Sequence, residues 1–121
     1  MKPPRFEYVA PSTVEEAVAA RAAHDSTFVL AGGQSLIPAL NFRLAFPDAL
    51  IDISRIPDLD RISVADGMIE VGAMVRHRQL ELSEDAHRAN PLLRQALGHV
   101  AHIPIRNRGT VCGSLAHADA A

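Results

Sequence analysis

Cysteine is nearly absent, since the 121 residues contain one, Cys112. An intrachain disulfide is therefore excluded, as is any metal framework built on several thiolates, and the usage fits a reducing compartment. Tryptophan is missing and aromatic residues make up 4% of the chain, too few for a surface that stacks bases. Charge of one sign is nowhere concentrated. Twelve Lys and Arg face 14 Asp and Glu, for a net charge of -2, and without a basic stripe nucleic acid is set aside as a partner. Met1 to Ala10 hold no apolar run of signal-peptide length, and no stretch approaches membrane-spanning length. Together these features point to a cytoplasmic protein.

What is present is 48% hydrophobic and 21% charged residues, the balance of a folded chain with one domain or two small ones. Residues 6–9 alternate weakly between prolines and predict a short strand. A helix then opens, with Ser12 as N-cap and Glu15 at the capping-box spacing. Its expected buried stripe is Val14, Ala17, Val18 and Ala22. Thr27-Phe28-Val29-Leu30 is continuously apolar and predicts a strand buried on both faces. Leu36, Ile37, Leu40 and Leu44 mark a second helix, with Pro38 tolerated in its first turn. Residues 49–53 predict a third strand. The order strand, helix, strand, helix, strand is that of a small parallel sheet with helical crossovers.

Residues 54–60 mark a boundary, giving subdomains 1–55 and 56–121. Beyond it, residues 61–64 and 68–71 flank Ala65-Asp66-Gly67 as a hairpin, with 72–75 continuing the second strand. Residues 76–82 and 91–100 predict helices, Ile103 to Arg108 a proline-containing connection, and Gly109 to Ala121 a glycine-bearing segment running into the start of a helix.

Two segments carry chemistry. In Leu30-Ala31-Gly32-Gly33-Gln34-Ser35-Leu36 a strand ends in paired glycines and a helix begins. Without a Cβ the backbone can approach a ligand closely, and free N–H groups at a helix start suit a phosphate. The segment is neither a GxGxxG fingerprint nor a P-loop, and by spacing alone an ordinary turn with Ser35 as N-cap is favoured. In Gly109-Thr110-Val111-Cys112-Gly113-Ser114-Leu115-Ala116-His117-Ala118-Asp119 the hydroxyls of Thr110 and Ser114 and the N–H groups around Gly113 could reach phosphate oxygens. Its bland alternative is a loop between a strand and a helix, which spacing alone again favours.

Other residues invite weaker readings. His99 and His102 lack the further ligands a metal centre needs, so surface or packing roles are favoured and no metal is expected. Cys112 with His117 suggests a thiol nucleophile but has no orienting third group, and no catalytic acid, base or nucleophile is assigned. Arg106 and Arg108 could pair with phosphates or with an acidic partner surface, a solvated turn being slightly favoured. Asp58, Asp60 and Asp66 read as turn residues.

Taken in order along the chain, these segments resemble a known family. Residues 31–36 and 105–119, together with Pro4-Arg5-Phe6-Glu7-Tyr8, Pro11-Ser12, Gly72-Ala73, His77 and Leu80, are similar to the FAD-binding medium subunit of molybdenum hydroxylases, the carbon monoxide dehydrogenase and xanthine dehydrogenase family. The second segment departs from the family's usual Thr-Ile-Gly-Gly-Asn, with Cys112 for the first glycine and Ser114 for asparagine, and Ala120 stands where proline is usual.

The resemblance implies an α+β, two-subdomain module of the vanillyl-alcohol-oxidase type, a small parallel unit followed by a partial mixed domain. It implies FAD, bound by Leu30, Ala31, Gly32, Gly33, Gln34, Ser35 and Leu36 and by Thr110, Val111, Cys112, Gly113, Ser114, His117 and Asp119, with the pyrophosphate held by Gly32, Gly33, Gln34, Ser35, Thr110, Gly113 and Ser114. An iron–sulfur small subunit would carry [2Fe-2S] clusters and a molybdopterin large subunit the molybdenum cofactor, in a heterotrimer or its dimer, with electrons passing through flavin to NAD or another acceptor. The chain would be the subunit's N-terminal portion, inactive by itself. Two alternatives stand beside this: a non-catalytic nucleotide-binding or scaffolding fragment, and a flavin oxidase with its own organic substrate.

Overall fold

The computed structural model describes residues 1–119. They form two compact units, one of residues Met1–Pro57 and one from Asp58 onward.

The first unit holds strands β1 (Glu7–Val9), β2 (Thr27–Leu30) and β3 (Ala49–Asp52) and helices α1 (Val14–Ala22) and α2 (Leu36–Asn41). The sheet is parallel in the order β1-β3-β2. Tyr8 stands beside Leu50 and Phe28 beside the same residue on the other side. The Tyr8 hydroxyl also donates to Asp52 Oδ2 at 2.5 Å, tying β1 to β3 by side chains.

The strand buried on both faces is β3, where Ala49, Leu50 and Ile51 are inaccessible. Expecting that of residues 27–30 is corrected, because β2 is an edge strand and Phe28 and Val29 are both exposed. Two apolar runs of similar length cannot be ranked by sequence when only sheet order separates centre from edge.

Three further expectations shift. Thr13, not Ser12, caps α1: its Oγ1 accepts from the Glu16 N–H at 3.1 Å, and Glu16 Oε2 accepts from the Ser12 N–H at 2.8 Å. The cap pattern is real but lies one residue later. The proposed apolar stripe of α1 is not buried, with Val18 63% exposed. The second helix stops at Asn41, and Leu44 lies beyond it, exposed.

In the second unit, β4 (Ile62–Ala65) and β5 (Met68–Val71) form the expected hairpin. Asp66 (φ 51°) and Gly67 (φ 73°) both adopt left-handed conformations, the requirement of a two-residue type I′ turn. The second strand does not continue to residue 75. Gly72 turns the chain there, its N–H donating to the Arg61 carbonyl at 2.9 Å.

Five short helices follow: α3 (His77–Glu81), α4 (Glu84–Ala89), α5 (Pro91–Gly98), α6 (Ile103–Arg108) and α7 (Val111–His117). Val75, Leu80, Ala86 and Leu97 form the core, with Ile62, Ile69, Val71 and Val111 packed against it.

The helix α4 has no counterpart in the sequence reading. Ser83 caps it by accepting from the Ala86 N–H, with Glu84 and Asp85 in the favourable first turn. Residues 103–108 are a helix rather than a connection, since Pro104 lies at its start, where proline is tolerated. Among the described residues no helix is long and apolar enough to cross a membrane.

Candidate functional site

The first site segment sits at the carboxyl end of β2. Leu30 closes the strand, residues 31–35 turn, and Leu36 opens α2. Gly33 has φ +72°, which calls for glycine, and a Cβ there would lie close to side chains, 3.0 Å from Ile37 Cγ1 and 3.2 Å from Leu30 Cδ1. The Gly33 carbonyl accepts from the Ile37 N–H at 3.0 Å, and the Gln34 side-chain amide donates to the Gly32 carbonyl at 3.2 Å. Ser35 makes no side-chain cap bond, so its role as an ordinary N-cap is set aside. Among the described residues, the N–H groups of Gly32, Gly33, Gln34 and Ser35 donate to no protein acceptor. Four successive unspent donors around a left-handed glycine can cradle an anion.

The second segment is built differently from expectation. Residues 111–117 are helical, with Thr110 as N-cap and Ala118 as a left-handed C-cap (φ 52°), so this helix both starts and closes within the described residues. Thr110 is buried, and its Oγ1 accepts from the Gly113 N–H at 3.1 Å. The Val111 N–H donates to the Val75 carbonyl at 3.1 Å and the Ser114 N–H to the Thr110 carbonyl at 3.1 Å. Of the first four N–H groups of this helix, only that of Cys112 makes no intrachain bond among the described residues. What the segment offers outward is this N–H and the exposed Ser114 hydroxyl, not the N–H array around Gly113 or the buried Thr110 hydroxyl. Gly113 itself is required because a Cβ would fall 2.5 Å from Thr110 Oγ1.

Cys112 is half-buried, its sulfur 3.7 Å from the carbonyl oxygens of Val71 and Gly72. It is separate from His117, whose Nε2 is 3.9 Å from Asp119 Oδ2. Leu115 is exposed, whereas Val111 packs on the core.

The support beneath α7 comes from α3 and α6. Arg76, preceding α3, donates to the Arg108 carbonyl and bridges in antiparallel fashion to Thr110. The His77 N–H donates to the Gly109 carbonyl at 3.0 Å, and His77 Nε2 lies 3.0 Å from Ser114 Oγ. Burial pushes the His77 imidazole below the usual histidine range, and the Arg106 charge adds to this. The Gly109 carbonyl pulls the other way by proximity, but His77 Nδ1 forms no hydrogen bond with it.

Arg106 is not a ligand for phosphate or partner. It is 7% exposed, and its guanidinium donates to Glu81 Oε2 (3.2 Å), to the carbonyl of Gly98 at the end of α5 and to those of Val100 and Ala101 just beyond it. Residue type alone could not separate these uses, because the same donor fork suits a phosphate or a helix end. His77 was marked in the sequence only through the family resemblance; a single histidine at a helix start has no periodic signature. His99 and His102 are exposed, and no cluster of three or more His, Cys, Asp or Glu able to hold a metal ion occurs among the described residues.

A parallel βαβαβ unit whose first glycine turn leaves an array of donors open is thus followed by a hairpin-and-helix unit with a capped second segment. The matching family model is the FAD binding domain in molybdopterin dehydrogenase, over residues 4–121, and the chain belongs to that family. The chain is 48% identical to 6-hydroxypseudooxynicotine dehydrogenase complex subunit alpha of Paenarthrobacter nicotinovorans, over 100% of this chain and 41% of that one. It is 44% identical to the carbon monoxide dehydrogenase medium chain of Hydrogenophaga pseudoflava, over 97% of this chain and 41% of the relative. Among solved structures, quinoline 2-oxidoreductase from Pseudomonas putida 86 superposes with a TM-score of 0.95 at 44% identity, covering 99% of this chain and 42% of that chain. The chain thus spans about two fifths of the length of these relatives.

Proposed function

We propose that this chain holds the FAD pyrophosphate in the flavin component of a molybdenum-containing hydroxylase or dehydrogenase, a component that relays electrons from iron–sulfur clusters through flavin to NAD or another acceptor. The observation that carries this reading is the run of unspent N–H donors from Gly32 to Ser35 around the left-handed Gly33. Such donors suit a dianionic group, and among the described residues no protein acceptor takes them up. Leu30, Ala31 and Leu36 frame the turn. From the second segment Ser114 contributes its hydroxyl and Cys112 its N–H, while the buried Thr110 caps the helix that carries them. Val111 and Gly113 set that helix in place, and His117 and Asp119 stand at its far end.

Bound FAD would supply an isoalloxazine ring able to take up and release electrons; the residues of this chain bind and orient the cofactor. The reading brings with it an iron–sulfur small subunit and a molybdopterin large subunit, which carry the [2Fe-2S] clusters and the molybdenum cofactor, in a heterotrimer or its dimer located in the cytoplasm. Substrate choice then belongs to the molybdenum partner, in keeping with relatives whose names refer to carbon monoxide and to a hydroxylated pseudooxynicotine.

Titration of FAD against the chain, followed by flavin fluorescence, tests the reading. Saturable binding is expected, with loss in Gly33→Asp, which adds a negative charge and a Cβ where neither fits. A folded chain without affinity for FAD, or a Gly33→Asp variant that stays folded and binds as well, would sink it.

A further inference from the structure

The imidazole of His77 has a buried nitrogen with nothing to bond to. The residue is 5% exposed, its Nε2 lies 3.0 Å from Ser114 Oγ, and its Nδ1 has no hydrogen-bond partner. The ring is closed in on that side by Gly109, where even a Cβ would come 3.0 Å from Nδ1. A neutral imidazole carries one proton, and the surroundings decide which nitrogen has it. Placed on Nδ1, the proton would face only the Gly109 carbonyl, which already accepts the His77 N–H at 3.0 Å and makes no hydrogen bond with Nδ1, so the N–H would be poorly satisfied, a costly state. Placed on Nε2, it leaves only an unused lone pair at Nδ1, which is better tolerated. The second arrangement makes Nε2–H the donor and Ser114 Oγ the acceptor.

The consequence falls on Ser114. Its oxygen receives a hydrogen bond from the interior, so its own O–H must be spent elsewhere. Ser114 lies on the exposed side of α7, where that proton has an outward path. We propose that His77 is a positioning residue that fixes the Ser114 hydroxyl as a hydrogen-bond donor toward a phosphate oxygen of FAD. The inference rests on the FAD reading above and adds to it a residue that touches no cofactor. A protonated His77 would also donate through Nε2, so the polarity of Ser114 is the same in either charge state of the ring.

The test combines binding and spectroscopy on the full chain, each variant first being checked for a cooperative melt. Ser114→Ala is expected to weaken FAD binding about tenfold, the loss of one hydrogen bond to a charged group. His77→Leu should weaken it by a similar factor. His77→Gln, whose terminal amide nitrogen reaches the place of Nε2, should restore most of the affinity. The His77→Leu/Ser114→Ala double variant should bind no more weakly than Ser114→Ala, because both remove the same donor. The 15N spectrum of the ring should show a protonated Nε2 and a bare Nδ1 at neutral pH. A proton on Nδ1, or wild-type affinity in His77→Leu and Ser114→Ala, overturns this inference alone. Absence of FAD binding by folded wild-type chain overturns it together with the reading on which it rests.

Discussion

Arg106 and Glu81 meet with Nε 3.2 Å from Oε2, their side chains 8% and 12% exposed. The same guanidinium takes up carbonyls at the end of α5 and just beyond it, while Arg78 holds Glu81 from the other side at 3.0 Å. One side chain therefore joins α3, α5 and α6. Arg106→Ala would leave a carboxylate and helix-end carbonyls short of partners. The expected cost is about 3 kcal/mol or more, as for breaking a buried pair from one side. Arg106→Lys should recover little, since an ammonium cannot serve the fork of acceptors. Urea denaturation of the two variants measures both effects.

Acid should destabilise the second unit in two stages. His77 has a folded pKa below its ordinary value of 6.5, chiefly through burial. Its contribution is fully present above that value and is lost as pH falls toward the folded pKa, because the unfolded chain takes up the proton first. Glu81 is held below the usual carboxylate range by Arg78 and, less strongly, Arg106, against the opposing effect of burial. Its contribution is present above about pH 4.5, the ordinary value, and is lost on further acidification through the folded pKa. Denaturation midpoints from pH 8 to pH 4 should show the first decline in wild type but not in His77→Gln. A parallel decline in both would contradict the assignment to His77.

Gly72 and Gly98 should respond oppositely to alanine. A Cβ on Gly72 would lie 2.7 Å from the Leu59 carbonyl carbon and closer still to its oxygen, which already accepts the Met74 N–H at 2.8 Å. Backbone cannot move aside as a side-chain tip can, so Gly72→Ala is expected to cost about 3 kcal/mol or to prevent folding. Gly98 ends α5 with open space around it, and Gly98→Ala should stabilise by roughly 0.5–1 kcal/mol through helix propensity. Thermal melts of the two variants decide the matter.

Thr110 is buried and spends its oxygen on capping α7. Thr110→Ala should cost about 1 kcal/mol, and Thr110→Ser should retain most of that. Gly113→Ala attacks the same contact from the other side, and the Thr110→Ala/Gly113→Ala pair should cost less than the sum of the single changes. Additive losses in a double-mutant cycle would show that the cap and the glycine act separately.

Local chemistry was legible in the sequence wherever a few neighbouring residues decide the outcome. The parallel unit follows from alternating strand and helix patterns, and the hairpin from Asp66-Gly67, a pair that accepts left-handed geometry. The turn at Gly32-Gly33 follows from the glycines themselves. The order of glycine segments along the chain also led to the right family. Short helices were less legible. Both α4 and α6 have six residues, too few for a periodic apolar stripe, and the first residue of α4, Glu84, is held by the distant Arg94 at 2.9 Å.

The sequence by itself thus determined the elements whose backbone preferences and hydrophobic period are local, and the identity of the turn in which donors are left open. Tertiary structure alone decided that β3 rather than β2 lies at the centre of its sheet, because burial depends on neighbours supplied by residues far along the chain. It alone decided that Arg106 is spent within the fold, and that His77 stands beneath Ser114, 37 residues away. A hydrogen bond of 3.0 Å has no trace in sequence spacing, since it exists only once α3 and α7 have packed.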